Sequence, residues 1–469
     1  MLLLKNRLLL IGVLSVLLCA SLILWIQADN AAWIRIYKGP ESYAAYSLVV
    51  TADGGYALAG GPLLVKTDVL GNMEWNHTYD GTIYSLITTS DGGYALAGSA
   101  IDDSSEVFVY STDFWLAKTD ALGNVEWSKT YGNPAENVEE ARSLVATSDG
   151  GYALAGSMSV WSEGEFYPDG SDFWLVKTDS FGNMLWNQTY GGEGTVNMEE
   201  ARSLVVAPDG GYALAGSAGP LRGFIDFWLV KTDSFGNMLW NQTYGGEDRD
   251  WACALVLASD GGYVMAGVTK FDPPSDDGLL VKTDALGNML WSKRYGGVAS
   301  DGALSLVATS DGGYAFAGSS QLTGSTDFWL VKTDANGNEE WSETYGNSTD
   351  NVEVAYSLVV APDGGFALAG GGDTGAYDSG DKDFWLVKTE PVLTPSSTPS
   401  PSESPIPTAT SSPETSPTPE STPTFTPEPT STPYDEPQLA EQEVILSVAV
   451  IVAVIGAGLG LLIYLIKRK

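Results

Sequence analysis

Three groups of side chains in this 469-residue chain have types and spacings that could do chemistry. Asp373, Asp378, Asp381 and Asp383, together with Asp272, Asp276 and Asp277, offer the dense carboxylates that Ca²⁺ prefers as ligands. No EF-hand spacing runs through them, and solvated acidic loops on an acidic protein are the competing reading. Trp161, Phe166, Tyr167, Trp251, Phe271 and Tyr377 fall in irregular segments. Aromatic rings so placed could form a ligand face, stacking on sugars or anchoring a protein partner, or equally pack as lids on a rim. The doublets Glu139-Glu140 and Glu199-Glu200 are the acid pairs a glycosidase would need, but both belong to the same phrase, EEARSLV, which marks them as architectural. The sequence therefore assigns no catalytic residue and no cofactor beyond a calcium ion. Four Asn-x-Ser/Thr triplets, at Asn76, Asn187, Asn241 and Asn347, are N-glycosylation acceptors.

Composition removes several chemistries. The net charge of −36 excludes a nucleic-acid partner, since phosphate binding needs a basic footprint. The one histidine, His77, argues against histidine-rich zinc sites and a Ser-His-Asp triad. Of the two cysteines, Cys19 lies in the apolar N-terminal run, which leaves Cys253 alone in the body and no intrachain disulfide.

The elements that must position these residues repeat. The triplet DGG occurs at Asp53, Asp91, Asp149, Asp209, Asp260, Asp311 and Asp363. Each copy sits among the same four short β-branched or aromatic runs, of the kinds SLVVA, YALAG, FWLVKTD and MLWNQTY, each bounded by Gly, Asp or Asn. Asp209-Gly210-Gly211 supplies a tight hairpin between the first two strands, and Phe235-Gly236-Asn237 another between the last two. Four antiparallel strands repeated seven times predict an all-β, seven-bladed β-propeller. The seventh repeat runs out after its third strand, and its missing W…Y strand stands at the other end of the body as residues 33–37. Trp33–Tyr37 is therefore expected to pair with the last FWLVKT run and complete the ring, removing an open edge.

The order W-x-x-T-Y-G-G, then D-G-G-Y-x-L-A-G, then D-F-W-L-V-K-T-D-x-x-G-N-x-x-W resembles the seven-bladed β-propeller repeat family of bacterial and archaeal surface proteins, over about residues 31–390. The resemblance implies an extracellular propeller and says little about a ligand.

Repetition also sorts structure from function. Lys66, Lys118, Lys177, Lys231, Lys282, Lys332 and Lys388 hold one position in every copy and read as repeated ion pairs between blades rather than as a cationic ring. The tryptophans at 75, 127, 186, 240, 291 and 341 are expected to fill the widening outer gap between blades. A single site should lie where copies differ. The long dissimilar segments, such as 101–112, 157–171, 268–276 and 371–382, all leave one face, which is expected to be irregular and acidic.

The ends complete the expected organisation. Residues 1–28 read as a secretory signal, with an uncleaved anchor as the alternative, and residues 29–390 as the ectodomain. Residues 391–437 form a Ser/Thr/Pro-rich stalk, which at about 3.1 Å per residue reaches roughly 140 Å. Residues 438–443 are juxtamembrane, 444–466 an apolar transmembrane helix, and 467–469 a basic tail expected in the cytoplasm. The expected function is a cell-surface, non-enzymatic binding or adhesion glycoprotein that engages a glycan or protein partner through its acidic face. A structural envelope component is the alternative, and a carbohydrate-active enzyme the third reading.

Overall fold

The computed structural model describes residues 32–38, 43–101, 111–132, 138–160, 170–191, 197–220, 224–270, 275–321, 325–346, 352–373 and 382–391. All regular structure in these residues is β-strand. The fourth repeat is typical, with Asn197–Val206, Tyr212–Pro220, Asp226–Thr232 and Met238–Tyr244 forming one antiparallel sheet in chain order. In the first repeat the second and third strands run on as Tyr56–Thr67, and Met73–Thr88 serves both as its outer strand and as the inner strand of the second.

Two glycines of different duty build each DGG hairpin. Gly210 has φ +81°, a left-handed conformation that a side chain disfavours. Gly211 has ordinary φ, but a Cβ there would collide with the Thr232 carbonyl, so its requirement is close backbone approach. The third-to-fourth turn is closed by its aspartate. The Asp233 carboxylate accepts from the backbone N–H of Phe235 and Asn237 and from the Asn237 side chain, at 2.8–2.9 Å.

Trp33–Tyr37 pairs antiparallel with Lys382–Lys388, in the register Trp33↔Lys388 through Tyr37↔Phe384. The expected exchange of the first strand into the last repeat is thus present. A second link closes the circuit at the inner edge, where the Leu48 N–H donates to Ser357 Oγ at 3.0 Å. The same bond joins successive inner strands elsewhere, as Leu86 to Ser47, Leu144 to Ser85, Leu204 to Ser143, Leu255 to Ser203 and Leu358 to Ser305.

The core consists of one apolar cluster per seam between neighbouring repeats, not a single centre. In the seam of the third and fourth repeats, Phe173 meets Trp228 with ring centroids 4.5 Å apart, among Leu175, Tyr190, Leu204, Leu214 and Val230. The outer tryptophans are half-buried rather than fully buried, and each lies against an aromatic ring of the next repeat. Trp186 meets Tyr212 at 5.9 Å, and Trp33 meets Tyr56 at 6.1 Å. Tyrosine hydroxyls stitch the same seams, as when Tyr190 donates to the Gly236 carbonyl at 2.7 Å. Tyr345 alone in this series bonds elsewhere, to Glu343, because the seventh repeat has no D-x-x-G-N turn to receive it.

The lysines correct the sequence reading in one respect. Their ion pairs are within repeats, not between them: Lys231 meets Asp209, the aspartate of its own DGG turn, at 2.8 Å, and the other six lysines pair in the same way. Each lysine is buried while its aspartate is partly exposed, so the pair pins a hairpin from beneath. The Lys177 hydrogen bond, with help from Thr147, holds Asp149 at about 2.

Candidate functional site

The inner strands carry a position at which the repeats differ in chemistry while their neighbours repeat. A β-bulge interrupts these strands between Ala141 and Ser143, between Ala201 and Ser203, and at the matching places in four further inner strands. A bulge leaves one residue unpaired and re-aims its side chain. The residues so displaced are Tyr84, Arg142, Arg202, Cys253, Leu304 and Tyr356. Tyr46, just ahead of Ser47–Val50, holds the corresponding place. These seven residues, one from each repeat, line a single cavity of about 150 Å³.

The ring is chemically lopsided. Tyr46 lies between Tyr84 and Tyr356, at centroid distances of 5.7 and 5.2 Å. The Arg142 guanidinium sits over the Tyr84 ring at 4.1 Å, a cation–π contact. From there a relay of charge runs around the channel. The Tyr84 hydroxyl donates to Glu140 at 3.0 Å, Arg142 donates to the other oxygen of Glu140, and Arg202 donates to Glu200 at 2.9 Å. Arg142 Nε and Arg202 Nε have no hydrogen-bond partner among the described residues, although Arg142 Nε stands 3.6 Å from Glu200 Oε1.

Burial pushes the Tyr84 hydroxyl up to about 12, with the Glu140 carboxylate adding to it. The Cys253 thiol is likewise pushed up by burial, against the opposing pull of Arg202. It is therefore protonated near neutrality and a weak nucleophile. What the ring can do is recognise. Edge-packed tyrosines and guanidinium donors converge on one small space, with Glu140 and Glu200 holding the guanidinium groups from behind.

The residues singled out from sequence are dispersed. Trp251, expected in an exposed loop, is instead half-buried inside the strand Arg249–Leu257, opposite Val268. The alternating inner strand begins earlier than the loop reading allowed. Asp276 and Asp277 open the strand Asp276–Thr283, and Asp383 is buried in Lys382–Lys388 of another repeat. Asp373 ends the strand Phe366–Asp373, opposite Lys382. Asp272, Asp378, Asp381, Trp161, Phe166, Tyr167, Phe271, Tyr377 and Asn347 lie outside the described residues, as do the signal, stalk and 444–466 segments. Among the described residues no group of three or more His, Cys, Asp or Glu side chains could hold a metal ion, and no helix is long and apolar enough to cross a membrane. Asn76, Asn187 and Asn241 are exposed on outer strands, as expected of glycan acceptors. Asn187 Oδ1 and Asn241 Oδ1 also accept from the buried indoles of Trp174 and Trp228 at 3.2 Å.

The glutamate doublets divide. Glu139 and Glu199 are buried in seams, where Glu199 bonds Asp172 of the preceding repeat, whereas Glu140 and Glu200 join the channel relay. Sequence reasoning missed the channel ring. Its signal was available as the residue before the repeated Ser-Leu, which reads Tyr, Tyr, Arg, Arg, Cys, Leu, Tyr while its neighbours hold nearly constant.

Comparison with known proteins adds little beyond fold. No family model matches the chain. It is 29% identical over 145 residues to the Regulatory protein FlaEY of Caulobacter vibrioides, which is 28% of this chain and 15% of that protein's length. Among solved structures it is similar to the WD40 β-propeller domain of Doa1, at 13% identity and TM-score 0.45, covering 76% of this chain and 97% of that one. It is also similar to BamB from Moraxella catarrhalis, at 12% identity and TM-score 0.38, covering 76% and 96%. At such scores the assignment as an all-β propeller rests on the strand pairings and seam clusters above.

Proposed function

We propose that residues 29–390 form a seven-bladed β-propeller that acts as a non-enzymatic binding or adhesion module, held at the cell surface by the stalk and the 444–466 segment. The observation that carries the binding reading is the channel ring. Seven positions with related backbone geometry display four different side-chain types, while the seam positions around them repeat. A role confined to filling space would favour the same side chain seven times over. The ligand is an extracellular glycan or protein partner, met at the channel mouth and the acidic loops beside it. The net charge of −36 argues against nucleic acid.

One observation favours the structural alternative, an envelope component without a specific ligand. Each channel guanidinium already has a glutamate partner, so the ring is electrostatically satisfied by itself. A glycan-array and calcium-titration screen of the purified chain, beside the double variant Arg142→Ala/Arg202→Ala, separates the two. A ligand that binds the wild type and is lost with the arginines supports the module. Binding by neither protein leaves the structural reading standing.

A further inference from the structure

The seams are alike except where the repeated Phe-Trp of the third strand is replaced. In the fifth repeat DFWLVKTD becomes DGLLVKTD, so Gly278 takes the Phe place and Leu279 the Trp place. The two losses fall in different seams, and only one is made good. Towards the sixth repeat, Phe316 stands where other repeats have Leu or Met, fully buried with its ring 5.2 Å from Trp329, whose ring edge lies 3.4 Å from where a Cβ on Gly278 would stand, so this seam stays filled. In the first repeat Leu63 also replaces Trp, and Tyr43 packs into that cluster over Gly61.

Towards the fourth repeat, no described aromatic side chain replaces the lost indole. The residue paired across from it changes instead. Trp228 faces Thr243, whereas Leu279 faces Arg294. Arg294 reaches across the seam to Asp248 at 2.7 Å, and a cavity of about 480 Å³ opens around the pair. Asp250 and Thr269 lie in its wall, only 3% and 0% exposed. The Thr269 hydroxyl is turned towards the Asp250 carboxyl, but neither Asp250 Oδ1 nor Thr269 Oγ1 completes a well-aligned hydrogen bond among the described residues.

We infer that this seam cavity is a binding site for a neutral polyhydroxylated ligand of mono- to disaccharide size. Its volume is in the range of small-molecule pockets, about 300–1,000 Å³. Its wall mixes acceptors, Asp250 and Asp248, with donors, Arg294 and Asn288, and with the hydroxyl of Thr269. Sugar hydroxyls both donate and accept and so can satisfy both kinds, whereas an ammonium offers donors alone and a carboxylate acceptors alone. Gly245, Gly246 and Gly287 line it without side chains and leave backbone within reach. A neutral ligand also enters a strongly acidic protein with no electrostatic penalty. The inference is independent of the channel reading, because the two cavities share no residue.

The test uses the full chain in a sugar-free zwitterionic detergent. Glucose, galactose, mannose, N-acetylglucosamine and lactose are each titrated calorimetrically and by thermal shift, with putrescine and CaCl₂ as competing probes. At least one sugar is expected to bind and to raise Tm by about 2 °C or more when in large excess. The double variant Leu279→Trp/Arg294→Thr restores the pair found in the fourth repeat and is expected to keep or raise the ligand-free Tm while weakening that sugar at least about tenfold. Thr269→Val, nearly isosteric, is expected to weaken it without unfolding the chain, and serves if the double variant misfolds. The inference is overturned if no sugar binds, if putrescine or Ca²⁺ binds in place of sugar, or if sugar affinity is unchanged in both variants.

Discussion

Trp228 and Arg202 belong to one four-stranded sheet, yet they answer to different constraints. Trp228 is buried in a seam, packed on Phe173, and the third, sixth and seventh repeats put Trp174, Trp329 and Trp385 in the same place. Arg202 projects from a bulge into the channel, where the neighbouring repeats put Arg142 and Cys253. A seam needs close packing against a similar sheet on each side, and that demand is identical at every junction. The channel needs only that seven side chains share one space without clashing. Uniformity therefore marks what holds the molecule together, and variation marks where it is free to acquire a ligand.

The largest effect should come from breaking the ring itself. A chain lacking residues 33–37 leaves the Lys382–Lys388 strand as an open edge, and is expected to aggregate or to lose its cooperative thermal transition, read by size-exclusion chromatography and calorimetry. Next in size is the seam. Trp228→Ala should destabilise by about 3–5 kcal/mol in urea unfolding. Trp240→Ala, at a half-buried outer position, should cost only about 1–2 kcal/mol. Equal losses at the two sites would mean that the outer rim is as much core as the seam.

Proton uptake sharpens the same contrast. Burial raises Asp172, Asp226 and Asp250, which lie in seams, so their ionisation at neutral pH opposes folding. Acidification should protonate these carboxyls ahead of unshifted ones and at first raise Tm. The hairpin aspartates are shifted the other way. Asp149, held at about 2 by Lys177, stabilises the fold above its unfolded value near 4. That contribution should fade as pH falls from about 4 towards 2, so Tm should pass through a maximum in the mildly acidic range. A Tm that only falls on acidification would remove the seam carboxylates from the account. The smallest effect is expected in the channel. Leu304→Ala, on a half-buried ring residue, should change stability by about 1 kcal/mol or less.

The elements and their closure could be read from sequence with good register because the repeat supplied seven copies of each strand and hairpin. A missing fourth strand at one end matched a stray W…Y strand at the other, and Trp33 does meet Lys388. The lysines could be paired with aspartates but not assigned to the right partner. Whether Lys231 reaches its own hairpin or a neighbour's depends on how the sheet twists, which no spacing reveals. Trp251 was misplaced for a related reason, since its strand is longer than the apolar alternation alone suggests.

Sequence by itself determined the strand inventory, the turn chemistry and the exchange of the first strand into the last repeat, because these follow from local patterns that cannot be satisfied otherwise. The tertiary structure decided which residues share a space. The channel ring exists because six bulges, and the approach to Ser47–Val50 at Tyr46, turn seven side chains separated by up to 310 positions from Tyr46 to Tyr356 towards one cavity. The seam of Gly278 stays filled by Phe316 and Trp329, whereas the seam cavity exists because no described aromatic side chain refills the gap left by Leu279. Local sequence can show that a large side chain is absent, but only the packed neighbours determine whether its volume is taken up or left open to a ligand.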